Sequence, residues 1–234
     1  MKLMALALTA VVASSASAGI VAGDLFVSRV SQTDAGNALD VYTVFVEFNG
    51  GTDRITNVGG FKLVAGSGGS LTQFYHKDNI AGGVGGFNYG AGEATWDPKT
   101  LAVSAAQRPF DSFVTIGTTA TGGTNNVTAD AGWPSSDYDR GDIPTSTTGP
   151  GWFLGGGSNL GQVGVGGNTN FRVRIGQFAI AAGSNGGRWD IRVSWNNGAG
   201  GPSTTETRSF NLVIPAPGAF ALLGLAGLAG RRRR

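Results

Sequence analysis

Cysteine is missing from this chain of 234 residues, histidine occurs once, and glutamate occurs three times, at Glu47, Glu93 and Glu206. Without cysteine there are no disulfide staples, no thiolate metal sites and no thiol nucleophile. With His76 alone, two-histidine metal sites are excluded, and a Ser-His-Asp triad has to use that one residue. No Gly-x-Ser-x-Gly elbow is present. His76 lies in FYHKDN beside Lys77 and Asp78, which reads as an exposed turn. A glycosidase needs two carboxylates facing across a cleft. Asp97 in TWDPK and Asp111 in FDSF are available, but they read as turn and strand-entry residues. The expectation is that the protein is not an enzyme.

Charge is also scarce, at 14% of residues, and the formal net charge of +2 is misleading. Of the 17 Lys and Arg, one lies in residues 1–18 and four end the chain, which leaves 12 against 15 Asp and Glu. The body is therefore mildly acidic. It has no basic stripe to neutralise phosphates, so nucleic acid is not an expected partner.

Helical periodicity is almost absent between residues 19 and 214. Glycine is plentiful instead, 41 of 234 residues, more than twice the roughly 7% that is usual. It follows no collagen period, and the apolar content is ordinary, a combination that suits many short strands joined by glycine-rich turns. RWDIRVSW (188–195) alternates strictly, with Trp189, Ile191, Val193 and Trp195 on one face. VYTVFVEF (41–48) is apolar on both faces, which predicts a central strand ending at the Asn49-Gly50-Gly51 turn. FRVRIGQFAI (171–180) sets Phe171, Val173 and Ile175 against Arg172 and Arg174, and SFNLVI (209–214) puts Phe210, Leu212 and Ile214 on one face. Weaker signals occur at GDLFVSRV, ITNVGGFKLV, LTQFY, LAVSA and DSFVTIG. Strands without intervening helices pair antiparallel, because parallel neighbours need long crossovers. The prediction is an all-β fold: one antiparallel β-sandwich, jelly-roll-like, with glycine-rich loops. The stretch 118–157 reads as one long irregular segment, the kind that binds a ligand or moves.

The two ends read as addresses. Residues 1–18, MKLMALALTAVVASSASA, place Lys2 before an apolar stretch and finish on Ala16-Ser17-Ala18, the layout of a secretory signal peptide. Cleavage after Ala18 makes Gly19 the first mature residue. At the other end, Pro215-Ala216-Pro217 leads into an apolar run, and Arg231, Arg232, Arg233 and Arg234 follow. Apolar residues before a basic cluster predict a membrane segment whose positive end stays in the cytoplasm. The predicted organisation is thus 1–18 signal peptide, 19–211 sandwich and 212–234 sorting segment, with a helix in each terminal segment.

The tail PAPGAFALLGLAGLAGRRRR, together with the export signal, resembles the PEP-CTERM class of bacterial surface proteins, in a Pro-Ala-Pro variant with Ala216 at the family's glutamate position. The resemblance covers the tail and the signal only. It implies handling by the export machinery and by an exosortase-type membrane protease, placement at the cell surface or outside the cell with anchoring through the tail, and association with extracellular polysaccharide.

Two candidate sites fall in the irregular stretch. Asp137, Asp139 and Asp142 in DYDRGD offer hard oxygens to calcium, or form a solvated acidic loop. Trp133 and Trp152 flank that loop and could present flat rings to a sugar, as in a carbohydrate-binding module, or pin the loop onto the sandwich. Trp189 and Trp195, on one strand face, are expected in the core.

Overall fold

A computed structural model of the chain describes residues 21–65, 67, 74–77, 85–86, 109–117, 127–129, 149–155, 158–165, 168–198 and 201–212. These residues are all-β. The strands are β1 (Asp24–Asp34), β2 (Asn37–Glu47), β3 (Arg54–Leu63), β4 (His76–Lys77), β5 (Gly85–Gly86), β6 (Phe113–Val114), β7 (Val127–Ala129), β8 (Trp152–Leu154), β9 (Arg172–Ala181), β10 (Arg188–Asn196) and β11 (Thr204–Asn211). They form a four-stranded sheet in the order β1-β2-β9-β6 and a five-stranded sheet in the order β11-β10-β3-β8-β7. β4 and β5 make a separate short pair. Neighbours are antiparallel throughout. Among the described residues no helix is long and apolar enough to cross a membrane.

The first hairpin turns on two residues, Ala35 and Gly36, between the paired Asp34 and Asn37. Both have positive φ, 47° and 81°. This is the backbone that a two-residue hairpin needs to match strand twist, and Ala35 adopts it despite its Cβ.

Alternation then sorts side chains. On β2, Tyr42, Val44 and Val46 point to the shared core, while Phe45 and Glu47 point away. On β9 the phase changes midway. Phe45 pairs with Arg174 but Val44 pairs with Gly176, so Ile175 is an extra residue in a β-bulge. Val173 and Ile175 face the core before the bulge, and Phe178 and Ile180 face it after. The sequence alternation at 171–175 is thereby continued in the opposite phase. On β10, Trp189, Ile191, Val193 and Trp195 are buried as their spacing predicts.

The two sheets bury these faces against each other. Phe61 of β3 stacks on Trp189 at 4.6 Å between ring centroids and on Phe178 of the opposite sheet at 5.1 Å. Aromatic rings at this spacing add specific geometry to a large buried area. Close approach is built into the rim as well. Gly23, with φ 88°, lies against the Trp195 ring, where a Cβ would fall 2.5 Å from the ring carbons.

Three expectations change. The stretch 118–157 is not wholly irregular, because β7 and β8 lie within it and extend the five-stranded sheet beyond β3. These strands are three residues each, too short to show a period. β11 begins at Thr204, well before the apolar signal at 209. It is an edge strand whose residues are mostly polar and exposed, so hydrophobicity could not mark its start. His76, expected on an exposed turn, is fully buried. The terminal helices, LAVSA at 101–105 and the first three residues of LTQFY lie outside the described residues.

Candidate functional site

Of the residues singled out in the sequence, only Trp152 of the ligand sites is described. It sits in β8 with no exposed surface, its ring edge-on to Phe61 at 5.9 Å. Its Nε1 donates to the Thr115 carbonyl at 2.9 Å. A fully buried indole offers no platform to a sugar, one of the two roles the sequence leaves open for Trp152. The ring instead holds this part of the chain on the core. Phe153, one residue on, points the other way and is partly exposed. Trp133, Asp137, Asp139 and Asp142 lie outside the described residues, as do Ala16, Ala18, Gly19, Pro215, Ala216, Pro217 and Arg231 to Arg234. Among the described residues no cluster of three or more acidic, histidine or cysteine side chains could hold a metal ion.

Three polar groupings do appear, all on the four-stranded sheet. The first closes part of its outer face. Tyr75 N donates to Ala179 O at 2.8 Å, and Ala179 N donates to Ser112 Oγ at 2.8 Å, so residues 74–76 and 110–114 line up along β9. Gln177 Nε2 donates to Asp111 O at 2.8 Å. These bonds bring His76 Nδ1 to 3.3 Å from Asp111 Oδ1, with the imidazole fully buried. Tyr75 Oη donates to Asp34 Oδ2 at 2.6 Å nearby. Asp111 was a candidate catalytic carboxylate; here it meets an imidazole in an enclosed place. The Ser112 hydroxyl is committed to the Ala179 backbone, so the group fastens the segment to β9.

The second grouping is on the inner face at the β1 side. Asp40 is fully buried and accepts from Arg29 Nη2 at 2.7 Å, Ser31 Oγ at 2.8 Å and Gly183 N at 3.2 Å. Several donors on one carboxylate offset its desolvation. Tyr42 lies beside it, with the Arg29 guanidinium 5.9 Å from the ring centroid. The Tyr42 hydroxyl is buried without a hydrogen-bond partner. Burial pushes its pKa up to about 12; Arg29 opposes the shift and Asp40 adds to it.

The third grouping faces outward on β1, β2 and β9. Strand register sets Phe26 beside Phe45, and Phe45 beside Arg174, with Glu47 beside Arg172 one step along. The Arg172 guanidinium lies 3.4 Å from the Phe26 ring centroid, and its Nε donates to Glu47 Oε1 at 2.7 Å. The Arg174 guanidinium lies 5.5 Å from the Phe45 ring centroid. Its Nη1 is enclosed and has no hydrogen-bond partner. Burial lowers the pKa of this arginine. This is the candidate binding face. Its sequence signal is Arg-x-Arg on a strand, which reads simply as the polar side of an alternating run. Nothing in the sequence tells which strands adjoin it, so the aromatic partners stay hidden. Comparison with protein families, curated proteins and solved structures finds no match to this chain.

Proposed function

We propose that this is a non-enzymatic, exported bacterial surface protein, sorted through its PEP-CTERM-like tail by an exosortase-type system and associated with extracellular polysaccharide. The observation that carries this reading is the pairing of two terminal signals on one chain: Ala16-Ser17-Ala18 after an apolar stretch, and Pro215-Ala216-Pro217 before an apolar run closed by four arginines. The body is a β-sandwich with jelly-roll-like passage of the chain between sheets. Two facing antiparallel sheets and the sheet changes after β2 and after β9 support that reading. A cysteine-free body of this kind suits an exported protein that relies on core burial for stability.

Amino-terminal sequencing of the exported protein tests the export half: the expected sequence is GIVAGD, and an intact Met1 on the surface form would contradict it. A carbohydrate-binding reading keeps Trp133 and the rest of the 130–153 loop as its contact surface, with the indole of Trp152 removed from it. A glycan array of the exported protein, repeated with Trp133→Ala, separates the two: loss of sugar binding supports the module reading, and unchanged or absent binding opposes it.

A further inference from the structure

The outer face of the four-stranded sheet carries the same unit twice. In the first, a guanidinium lies over a phenyl ring and holds a carboxylate: Arg172, Phe26 and Glu47. In the second, a guanidinium lies over a phenyl ring and the carboxylate is missing: Arg174 and Phe45. The two arginines are two residues apart on β9, on the same face, so their units lie roughly 7 Å apart. The rings adjoin, with 6.1 Å between the Phe26 and Phe45 centroids. No carboxylate of the described residues pairs with Arg174, and its Nη1 is withdrawn from water without a hydrogen bond. A desolvated guanidinium is costly unless an anion meets it. Its planar fork fits a carboxylate bidentately, and stacking on a ring fixes the plane in which the fork opens. The neighbouring unit shows in this same chain which anion such a pair accepts. Glu47 is already engaged by Arg172, so among the described residues Arg174 has no carboxylate partner on this face.

We propose that Arg174 anchors a carboxylate-binding site on this face, and that its ligand is the carboxylate of an acidic sugar. Arg174 supplies the fork, Phe45 orients it, and Arg172 with Glu47 forms the wall that sets the spacing to the next group. That the carboxylate belongs to a sugar, and the sugar to a polymer, rests on the polysaccharide association proposed above; the carboxylate site does not.

The test uses the full chain in detergent. Galacturonate is titrated at constant ionic strength, with glucose as the neutral control and acetate as the bare carboxylate. Galacturonate should raise the melting temperature saturably, by roughly 3–6 °C at tenfold above its Kd, and glucose should not. Acetate should act more weakly than galacturonate. Equal effects per carboxylate would overturn the sugar assignment. Arg174→Gln should weaken galacturonate binding at least tenfold. Because it removes a desolvated charge, it should melt no lower than the parent without ligand. Arg174→Lys keeps the charge and loses the fork, so it should fall between the two, and it serves if Arg174→Gln misfolds. No shift with galacturonate, or a shift in Arg174→Gln and Arg174→Lys equal to that of the parent, overturns the site. A separate arm compares retention on immobilised polygalacturonate and on dextran. Retention on polygalacturonate alone supports a polymer ligand. Should neither polymer retain a protein that binds monomeric galacturonate, the polysaccharide association fails and the carboxylate site stands.

Discussion

The Trp152 indole and the Thr115 carbonyl tie the two sheets together: Nε1 of β8, in the five-stranded sheet, donates at 2.9 Å to the backbone just after β6, in the four-stranded sheet. Both residues are fully buried. Trp152→Phe keeps most of the apolar volume but removes the donor to the Thr115 carbonyl. The expected cost is about 2–3 kcal/mol, from the lost bond and the smaller ring. Thermal unfolding should show it, while Phe153→Ala, on the exposed side of the same strand, should cost under about 1 kcal/mol. Equal costs for the two would contradict this assignment of faces.

Alkaline titration should find Tyr42. Its phenol titrates near 10 when unfolded and is pushed up to about 12 in the fold, chiefly by burial. The unfolded chain therefore loses its proton first. The stability that Tyr42 contributes is fully present below pH 10 and is lost as pH rises from 10 to 12. Tyr42→Phe should flatten that part of the stability curve. It should leave stability at neutral pH unchanged or slightly higher, since the hydroxyl it removes has no partner. An unaltered slope between pH 10 and 12 in Tyr42→Phe would show that another group is responsible.

Gly117 has φ 74°, and a Cβ there would overlap the Leu160 carbonyl oxygen. Its own N–H donates to Arg174 O at 2.8 Å, which continues the edge pairing begun by β6. Gly117→Ala combines a left-handed backbone penalty of about 1 kcal/mol with a backbone clash. The total should exceed about 2 kcal/mol. Gly36→Ala, also at positive φ but with open space around it, should cost only the backbone part. Denaturant unfolding of the two variants checks the difference, and similar midpoints would argue against the packing of residues 158–165 on this edge.

Asp40 and Arg29 form an inward-pointing pair beside the edge strand β1. Asp40→Asn leaves Arg29 without its anion, and a loss of roughly 2–3 kcal/mol is expected because the carboxylate is fully buried. In a double-mutant cycle with Arg29→Gln, the second change should cost much less in the Asp40→Asn background than alone. Additive losses would mean that the two side chains act separately. An inward charge pair also discourages edge-to-edge pairing, so the same variants report on self-association.

The long strands were legible because their burial is periodic. Trp189, Ile191, Val193 and Trp195 mark β10 without help, and the two apolar faces of 41–48 correctly place β2 between neighbours. β7 and β8 were not, since three residues hold no period and only pairing with β3 makes them strands. The Ala35-Gly36 turn lacks the asparagine or aspartate that usually signals such a hairpin. That the Trp152 ring enters the core depends on long-range packing, which the sequence around it does not carry. The candidate face was hidden for the same reason. Arg172 and Arg174 are visible as an alternating pair, but Phe26 and Phe45 come beside them only through the register of three strands.

One comparison tests the proposed sorting by the terminal segments most directly: where the full chain and a chain ending at Leu212 go in an exosortase-bearing bacterium. The full chain is predicted in the membrane or cell-surface fraction. The shortened chain, which keeps residues 1–18 and every described strand, is predicted folded and released to the periplasm or the medium. Identical distribution of the two chains would contradict the central claim.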